Sequence, residues 1–229
     1  MRLILFDIDG TLTATSDADK DCYDRAFLRA FGVPLPTTDW HAYKHVTDTG
    51  IIHEVVEPAW GRPVAISEIE AFESAFLDEL MMAFETNPGG FTEVPGACAL
   101  LSALQKMENV AIALATGGMR KTALFKLSKI GIDGEQLAGG FANDAISRAD
   151  IARIAAQRTG VQASDIVYVG DGMWDLLTSR ELGMRYVGIT RESNADRLRE
   201  AGATALLEDY SDPAAFYAAL ETAKVPTLP

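Results

Sequence analysis

From Val94 onward, short apolar runs alternate with helical stretches, and this rhythm constrains the fold more than any other feature of the chain. Helical patterns over residues 96–107, 120–130 and 147–158 precede an apolar strand at 110–115, a weak one around Gly140 and Phe141, and a third at 166–169. Shorter units follow: a helix at 174–182, a strand at 185–189, a helix at 194–201 and a last strand near Ala205 and Leu206. Strands that alternate with helices imply a parallel sheet covered on both faces. One further strand, Leu3-Ile4-Leu5-Phe6, stands far upstream, and everything between it and Val94 reads as helical.

In that block Tyr23, Ala26, Phe27, Ala30 and Phe31 recur at helical spacing, with Gly32 and Pro34 as a stop signal. Ile51, Ile52, Val55 and Val56 predict a second helix over residues 49–57. Ser67-Glu68-Ile69-Glu70 reads as a capping box opening a third, whose apolar stripe is Ile69, Phe72, Phe76 and Leu80. The chain is therefore read as an α/β core, residues 1–14 and 91–229, with an inserted α-helical cap, residues 15–90. Residues 224–229 are expected to be a loose tail.

The net charge of −13 argues against an electrostatic grip on nucleic acid or on an anionic membrane, either of which needs clustered Lys and Arg. An anionic substrate must then be met by a local positive site. Cys22 and Cys98 show no pairing pattern or metal-ligand spacing and are expected to be reduced. An acid already at Asp7 disfavours a signal peptide, and no later run approaches a membrane span. A cytoplasmic protein is expected, as a monomer or weak homodimer.

Ligands bind at the carboxyl ends of parallel strands, so the residues after each strand carry the functional information. The first strand ends in Asp7-Ile8-Asp9-Gly10-Thr11. If the backbone stays extended, the period of two points Asp7 and Asp9 the same way. Two carboxylates about 4 Å apart repel by roughly 4 kcal/mol at an effective dielectric near 20, which calls for a cation, a shared proton or both. Oxygen ligands suit magnesium. The next strand ends in Thr116-Gly117-Gly118, which reads either as a plain strand-to-helix turn or as a place where backbone N–H groups and a hydroxyl approach a phosphoryl group. The strand at 166–169 runs into Gly170-Asp171-Gly172-Met173-Trp174-Asp175. A dinucleotide fingerprint needs a small residue where Asp175 stands, so Asp171 and Asp175 read instead as a second acidic pair or as acids capping a helix start.

Taken together, Asp7-x-Asp9-Gly10-Thr11, Thr116 and Gly170-Asp171-x-x-x-Asp175 resemble the haloacid dehalogenase superfamily of aspartate-nucleophile hydrolases. The helical insertion after the first motif is similar to that of its phosphoglycolate phosphatase and β-phosphoglucomutase branch. The resemblance implies a Rossmann-like sheet of order 5-4-1-2-3 and a mobile cap. It also implies a Mg2+-dependent phosphatase acting on a small phosphorylated metabolite. In that chemistry Asp7 is the nucleophile and Asp9 the general acid/base. Magnesium would bind the Asp7 carboxylate, the Asp9 carbonyl and Asp171, with Asp175 ordering its water shell. Thr116 and Gly117 would hold phosphoryl oxygens.

One element departs from the family pattern. The usual lysine ahead of the helix leading to the acidic strand is missing from Ala145-Ile146-Ser147-Arg148-Ala149-Asp150. Ser147-x-x-Asp150 resembles a helix N-cap, which sets Arg148 in a first turn where the helix dipole disfavours cations. Arg148 is thus the candidate for the phosphate-binding cation, Lys121 the second, and a solvated surface arginine the alternative. In the insertion, His41, Lys44, His45 and Thr47-Asp48-Thr49-Gly50 form a polar stretch, with His45, Thr49 and Gly50 as candidate substrate contacts. Trp174 reads either as a core residue or as packing between cap and core. Asp9 favours phosphoryl chemistry over dehalogenation, since the family's dehalogenases lack an acid there. The alternatives are a sugar phosphomutase, whose cap histidine has no counterpart in Ala18-Asp19-Lys20, and a non-catalytic phosphate-binding regulatory protein.

Overall fold

In the computed structural model, residues 1–162, 165–190 and 192–227 are described. The strands are β1 Arg2–Phe6, β2 Val110–Ala115, β3 Ala138–Gly140, β4 Asp165–Gly170, β5 Arg185–Ile189 and β6 Leu206–Leu207. The helices are α1 Ser16–Phe31, α2 Asp48–Trp60, α3 Ile66–Thr86, α4 Ala97–Leu104, α5 Arg120–Lys129, α6 Arg148–Arg158, α7 Met173–Leu182, α8 Glu192–Glu200 and α9 Pro213–Thr222. The strands form one parallel sheet of order β3-β2-β1-β4-β5-β6, the expected 5-4-1-2-3 arrangement lengthened by the sixth strand.

Strand β1 lies in the middle because both of its faces are apolar, as a strand covered on two sides requires. Ile4 and Phe6, with Ile8 just beyond, pack into a cluster with Leu100 and Leu101 of α4 and Phe216 of α9. Leu3 and Leu5, turned the other way by the period of two, meet Ala152 and Ala155 of α6 and Tyr168 of β4. Phe6 is in register with Leu114 on one side and Val169 on the other. That alignment brings Asp7, the Thr116 loop and the Asp171 loop to one end of the sheet.

Helices α1, α2 and α3 share a separate apolar cluster built on Tyr23, Phe27, Phe31, Ile52, Phe72 and Phe76. Its rings meet edge to face, with centroids 5.1 Å apart for Tyr23 and Phe72 and 4.9 Å for Phe27 and Phe31. Met119 and Ala142, from loops after β2 and β3, belong to the same cluster, so the helices sit directly over the carboxyl end of the sheet.

Three local expectations are corrected. Helix α3 does not open with Ser67 and Glu70; it begins at Ile66, and Glu68 accepts the Ala65 N–H at 2.8 Å, two residues earlier. Helix α2 continues past residue 57 to Trp60, because Gly61 (φ 66°) supplies the left-handed stop and Pro58 is tolerated in the last turn. Residues 224–227 are not loose: Tyr186 donates its N–H to the Lys224 carbonyl at 3.1 Å, and Lys224 N–H reaches the Thr204 hydroxyl at 3.1 Å. Residues 228 and 229 of the expected tail lie outside the described residues. Both cysteines are free, and among the described residues no helix is long and apolar enough to cross a membrane.

Candidate active site

Asp7 leaves β1 with its N–H still bonded to the Val169 carbonyl at 2.9 Å, and its side chain is 2% exposed. The chain then folds tightly. The Ile8 carbonyl accepts the N–H groups of Leu12 and Thr13 at 2.8 and 2.9 Å, and Gly10 adopts φ 77°. Glycine is required there twice over, since a Cβ would lie 2.2 Å from an Asp171 carboxylate oxygen. This turn sets the Asp9 carboxylate among donors: Thr15 Oγ1 at 3.1 Å and Thr13 Oγ1 at 3.4 Å on one oxygen, and Lys126 Nζ at 2.6 Å on the other.

Beyond β4, Asp171 stands beside Gly10 and Asp175 opens α7. Asp175 is fully buried and combines the two sequence readings. One carboxylate oxygen accepts the Gly172 N–H at 3.0 Å, which closes the helix start, and the other accepts from Arg148 at 2.7 Å. Arg148 is no surface arginine. Ser147 caps α6 by accepting the Asp150 N–H at 3.1 Å, and the guanidinium that follows is 13% exposed. It donates to the Val46 carbonyl at 2.8 Å, pairs with Asp175 and lies 3.7 Å from Asp7 Oδ1. Lys121 is half exposed and paired with Glu73 at 3.8 Å on another face. Of the two cations proposed from sequence, only Arg148 reaches the acids.

Thr116 and Gly117 line the same cavity as Asp7, Asp9 and Arg148. The Thr116 hydroxyl accepts the Gly118 N–H at 3.2 Å. Gly117 leaves no room for a side chain, because a Cβ would meet the Val46 carbonyl at 2.5 Å and Arg148 at 2.7 Å. The far wall comes from α1 to α2: Asp19, Tyr23, Trp40, Val46, Thr47, Asp48 and Ile51. The cavity volume is about 90 Å3. His45, Thr49 and Gly50 are not among the lining residues; the chain presents their neighbours Val46, Thr47, Asp48 and Ile51 instead. The Thr49 hydroxyl is engaged by the Ala142 carbonyl at 2.7 Å, and the Gly50 N–H by Thr47 Oγ1 at 3.1 Å, as α2 begins. Trp174 lies between the insertion and the sheet, its ring 5.1 Å from His41 and over the Arg148 guanidinium at 5.4 Å.

Sequence reasoning missed Lys126 and Asp19, and it placed Asp48 in the polar stretch of the insertion without singling it out. Lys126 is 1% exposed and donates to Asp9 at 2.6 Å and to Asp19 at 2.5 Å, joining α5 to α1. Its only sequence signal is its place on α5, seven residues past buried Met119 and next to buried Leu127.

The site holds more acid than base, and burial magnifies the imbalance. Burial, then the charges of Asp175 and Asp9, push the Asp7 carboxyl up to about 7 against the pull of Arg148. Burial and the neighbouring Asp175 and Asp7 push Asp171 well above the carboxylate range. Asp48 is pushed up to about 8 by burial and then Asp19, and Asp19 up to about 6 by burial despite Lys126. Lys126 goes the other way. Burial alone lowers its proton affinity, but Asp19 and Asp9 together more than offset this and hold it charged.

Asp7, Asp171 and Asp175 each offer a carboxylate oxygen within 4.8 Å of the others. Asp7 Oδ1 and Asp171 Oδ1 are buried without a hydrogen-bond partner. Orphaned, hard oxygen donors on converging carboxylates fit a divalent cation, which would remove the repulsion that raises their proton affinities.

A family model described as haloacid dehalogenase-like hydrolase matches residues 1–183. Among solved structures, a hydrolase from Pseudomonas syringae aligns over 93% of this chain and 95% of its own, at 24% identity and a TM-score of 0.70. CbbY from Rhodobacter sphaeroides in complex with phosphate aligns over 92% and 95%, at 18% identity and a TM-score of 0.67. A putative β-phosphoglucomutase from Thermotoga maritima aligns over 90% and 94%, at 22% identity and a TM-score of 0.56. At these identities the likeness is one of fold. No curated protein matches the chain in sequence.

Proposed function

Because the chain belongs to the haloacid dehalogenase-like hydrolases, we propose that it is a magnesium-dependent phosphatase that hydrolyses a small phosphate monoester through an aspartyl-phosphate. The observation that carries this reading is the Asp7 side chain: buried at a strand end, with one oxygen unpartnered and Arg148 3.7 Å away. A structural aspartate so deeply buried would have its oxygens satisfied. Residues 15–90 act as the cap that closes the cavity from above, and the ester's alcohol faces their side of it.

In the first step an Asp7 oxygen attacks phosphorus, the bond from phosphorus to the ester oxygen breaks, and the Asp9 carboxyl gives its proton to the departing alkoxide. In the second step water attacks the same phosphorus, Asp9 takes the water's proton, and the bond from phosphorus to the Asp7 oxygen breaks. Thr13, Thr15 and Lys126 hold Asp9 in reach of the cavity for both. Thr116, Gly117 and Arg148 receive phosphoryl oxygens as charge shifts from attacking to leaving atom. Magnesium, held by Asp7 and Asp171 with the Asp9 carbonyl and ordered by Asp175, would neutralise charge on the transferred group.

Asp9 and Lys126 separate this reading from a non-catalytic phosphate-binding protein, which needs no acid/base beside its phosphate. The test is hydrolysis of p-nitrophenyl phosphate with and without Mg2+, by wild type and by Asp7→Asn. Metal-dependent turnover abolished in Asp7→Asn is the expected result. Equal turnover in both proteins, or none from folded wild type across a broad ester panel, overturns the reading.

A further inference from the structure

The charged groups that line the cavity are accounted for one by one. Asp7 and Arg148 face the phosphoryl end, and Arg148 is also bound to Asp175 at 2.7 Å. The other charged residues of the lining are Asp9, Asp19, Asp48 and Lys126. Lys126 is the one ammonium there among the described residues, and Asp9 and Asp19 hold it at 2.6 and 2.5 Å. Neither of those carboxylates is free either, since each shares the same buried cation. Asp48 accepts the Met119 N–H at 2.8 Å, and its burial beside Asp19 favours the neutral carboxyl, an O–H donor. The remaining wall is uncharged and includes the rings of Tyr23, Trp40 and Trp174 and the side chain of Ile51.

We infer that the leaving alcohol carries no negative charge, so that carboxylate-bearing or second-phosphate-bearing esters are poor substrates. The inference rests on the phosphatase reading of the same site and gives it a substrate class. A negatively charged group entering beside these residues would lose its water without gaining a free cation, and a buried unpaired charge is strongly disfavoured. An anion would also meet Asp9, Asp19 and Asp48 together. A neutral group such as a hydroxyl avoids that penalty, and the rings offer it apolar contact.

The test compares kcat/KM, with Mg2+ present, for two esters of one size, 2-hydroxyethyl phosphate and phosphoglycolate. They end in a hydroxyl and a carboxylate. Wild type should prefer 2-hydroxyethyl phosphate at least about tenfold, a difference of about 1.4 kcal/mol. In Asp19→Asn, Lys126 loses one of its two carboxylates, and phosphoglycolate should gain at least about tenfold relative to 2-hydroxyethyl phosphate. Wild type that hydrolyses phosphoglycolate as well as the hydroxyl ester overturns the inference, whatever the variant does. An unchanged ratio in a folded Asp19→Asn overturns it as well. p-Nitrophenyl phosphate serves as the control: if wild type hydrolyses neither it nor any other ester, the phosphatase reading itself fails and the inference falls with it.

Discussion

Replacing Lys126 by Met removes one buried ammonium from between two carboxylates while keeping most of the side-chain volume. The side chain is 1% exposed, whereas Asp9 and Asp19 retain 25% and 21% exposure. Breaking a buried pair by removing one partner typically costs about 3–5 kcal/mol, because the other charge stays uncompensated. Both carboxylates here can regain some water, so the low end, about 3 kcal/mol, is expected. For a chain of this length that lowers Tm by roughly 6–12 °C. The effect on catalysis should depend on the ester. A nitrophenolate leaves without a proton, but in the proposed mechanism an alkoxide takes one from Asp9, and general-acid assistance is worth about 10²–10⁴ in rate. Lys126→Met should therefore lower kcat/KM for an alkyl phosphate by about a hundredfold or more and for p-nitrophenyl phosphate by less than about tenfold. The parameter kcat/KM is the right readout because it stops at the first irreversible step, loss of the alcohol. Measured below the variant's melting range, an equal fall for both esters would refute the assignment of Lys126 to positioning Asp9.

Other expectations follow from particular contacts. Gly10→Ala places a Cβ against Asp171 at φ 77°, so it should lower both Tm and the apparent affinity for Mg2+, measured by titrating activity. Arg148→Lys keeps a charge but not the fork that holds Val46, Asp175 and the approach to Asp7; KM for any phosphate ester should rise at least about tenfold, and an unchanged KM would place the phosphate elsewhere. For metal-free protein, Asp48 has a folded proton affinity raised from 3.8 to about 8. Its protonated form is favoured by folding, so the associated stability is complete below about pH 4 and is lost as pH rises toward 8. Chemical denaturation across that window should show Asp48→Asn gaining on wild type as pH rises, and parallel profiles would contradict the burial of that carboxyl.

The parts of the fold that local chemistry determines were legible in the sequence. The run Leu3 to Phe6 is apolar on both faces, and it became the sheet's central strand for that reason. Ser147 and Asp150 announced the start of α6, which is why Arg148 could be assigned to a first turn and then found beside Asp175. What local chemistry does not determine was misjudged or missed. Nothing in Ser67-x-x-Glu70 distinguishes it from the competing Glu68 contact one residue pair earlier. Lys126 looks like any lysine on a helix, and Asp19 like any acid near a helix start; only the packing of α1 against the loop after β1 and against α5 brings them together. Likewise, reading a polar stretch could not tell which of residues 45–50 face the cavity, because that depends on where α2 begins.

The most direct measurement of the central claim is a rapid acid quench of enzyme turning over a 32P-labelled phosphate ester with Mg2+. Label should appear on the protein, be released by hydroxylamine as an acyl phosphate is, map to the peptide containing Asp7, and be absent from Asp7→Asn. Turnover by wild type with no protein-bound label, or label on Asp7→Asn equal to that on wild type, would contradict Asp7 as the nucleophile.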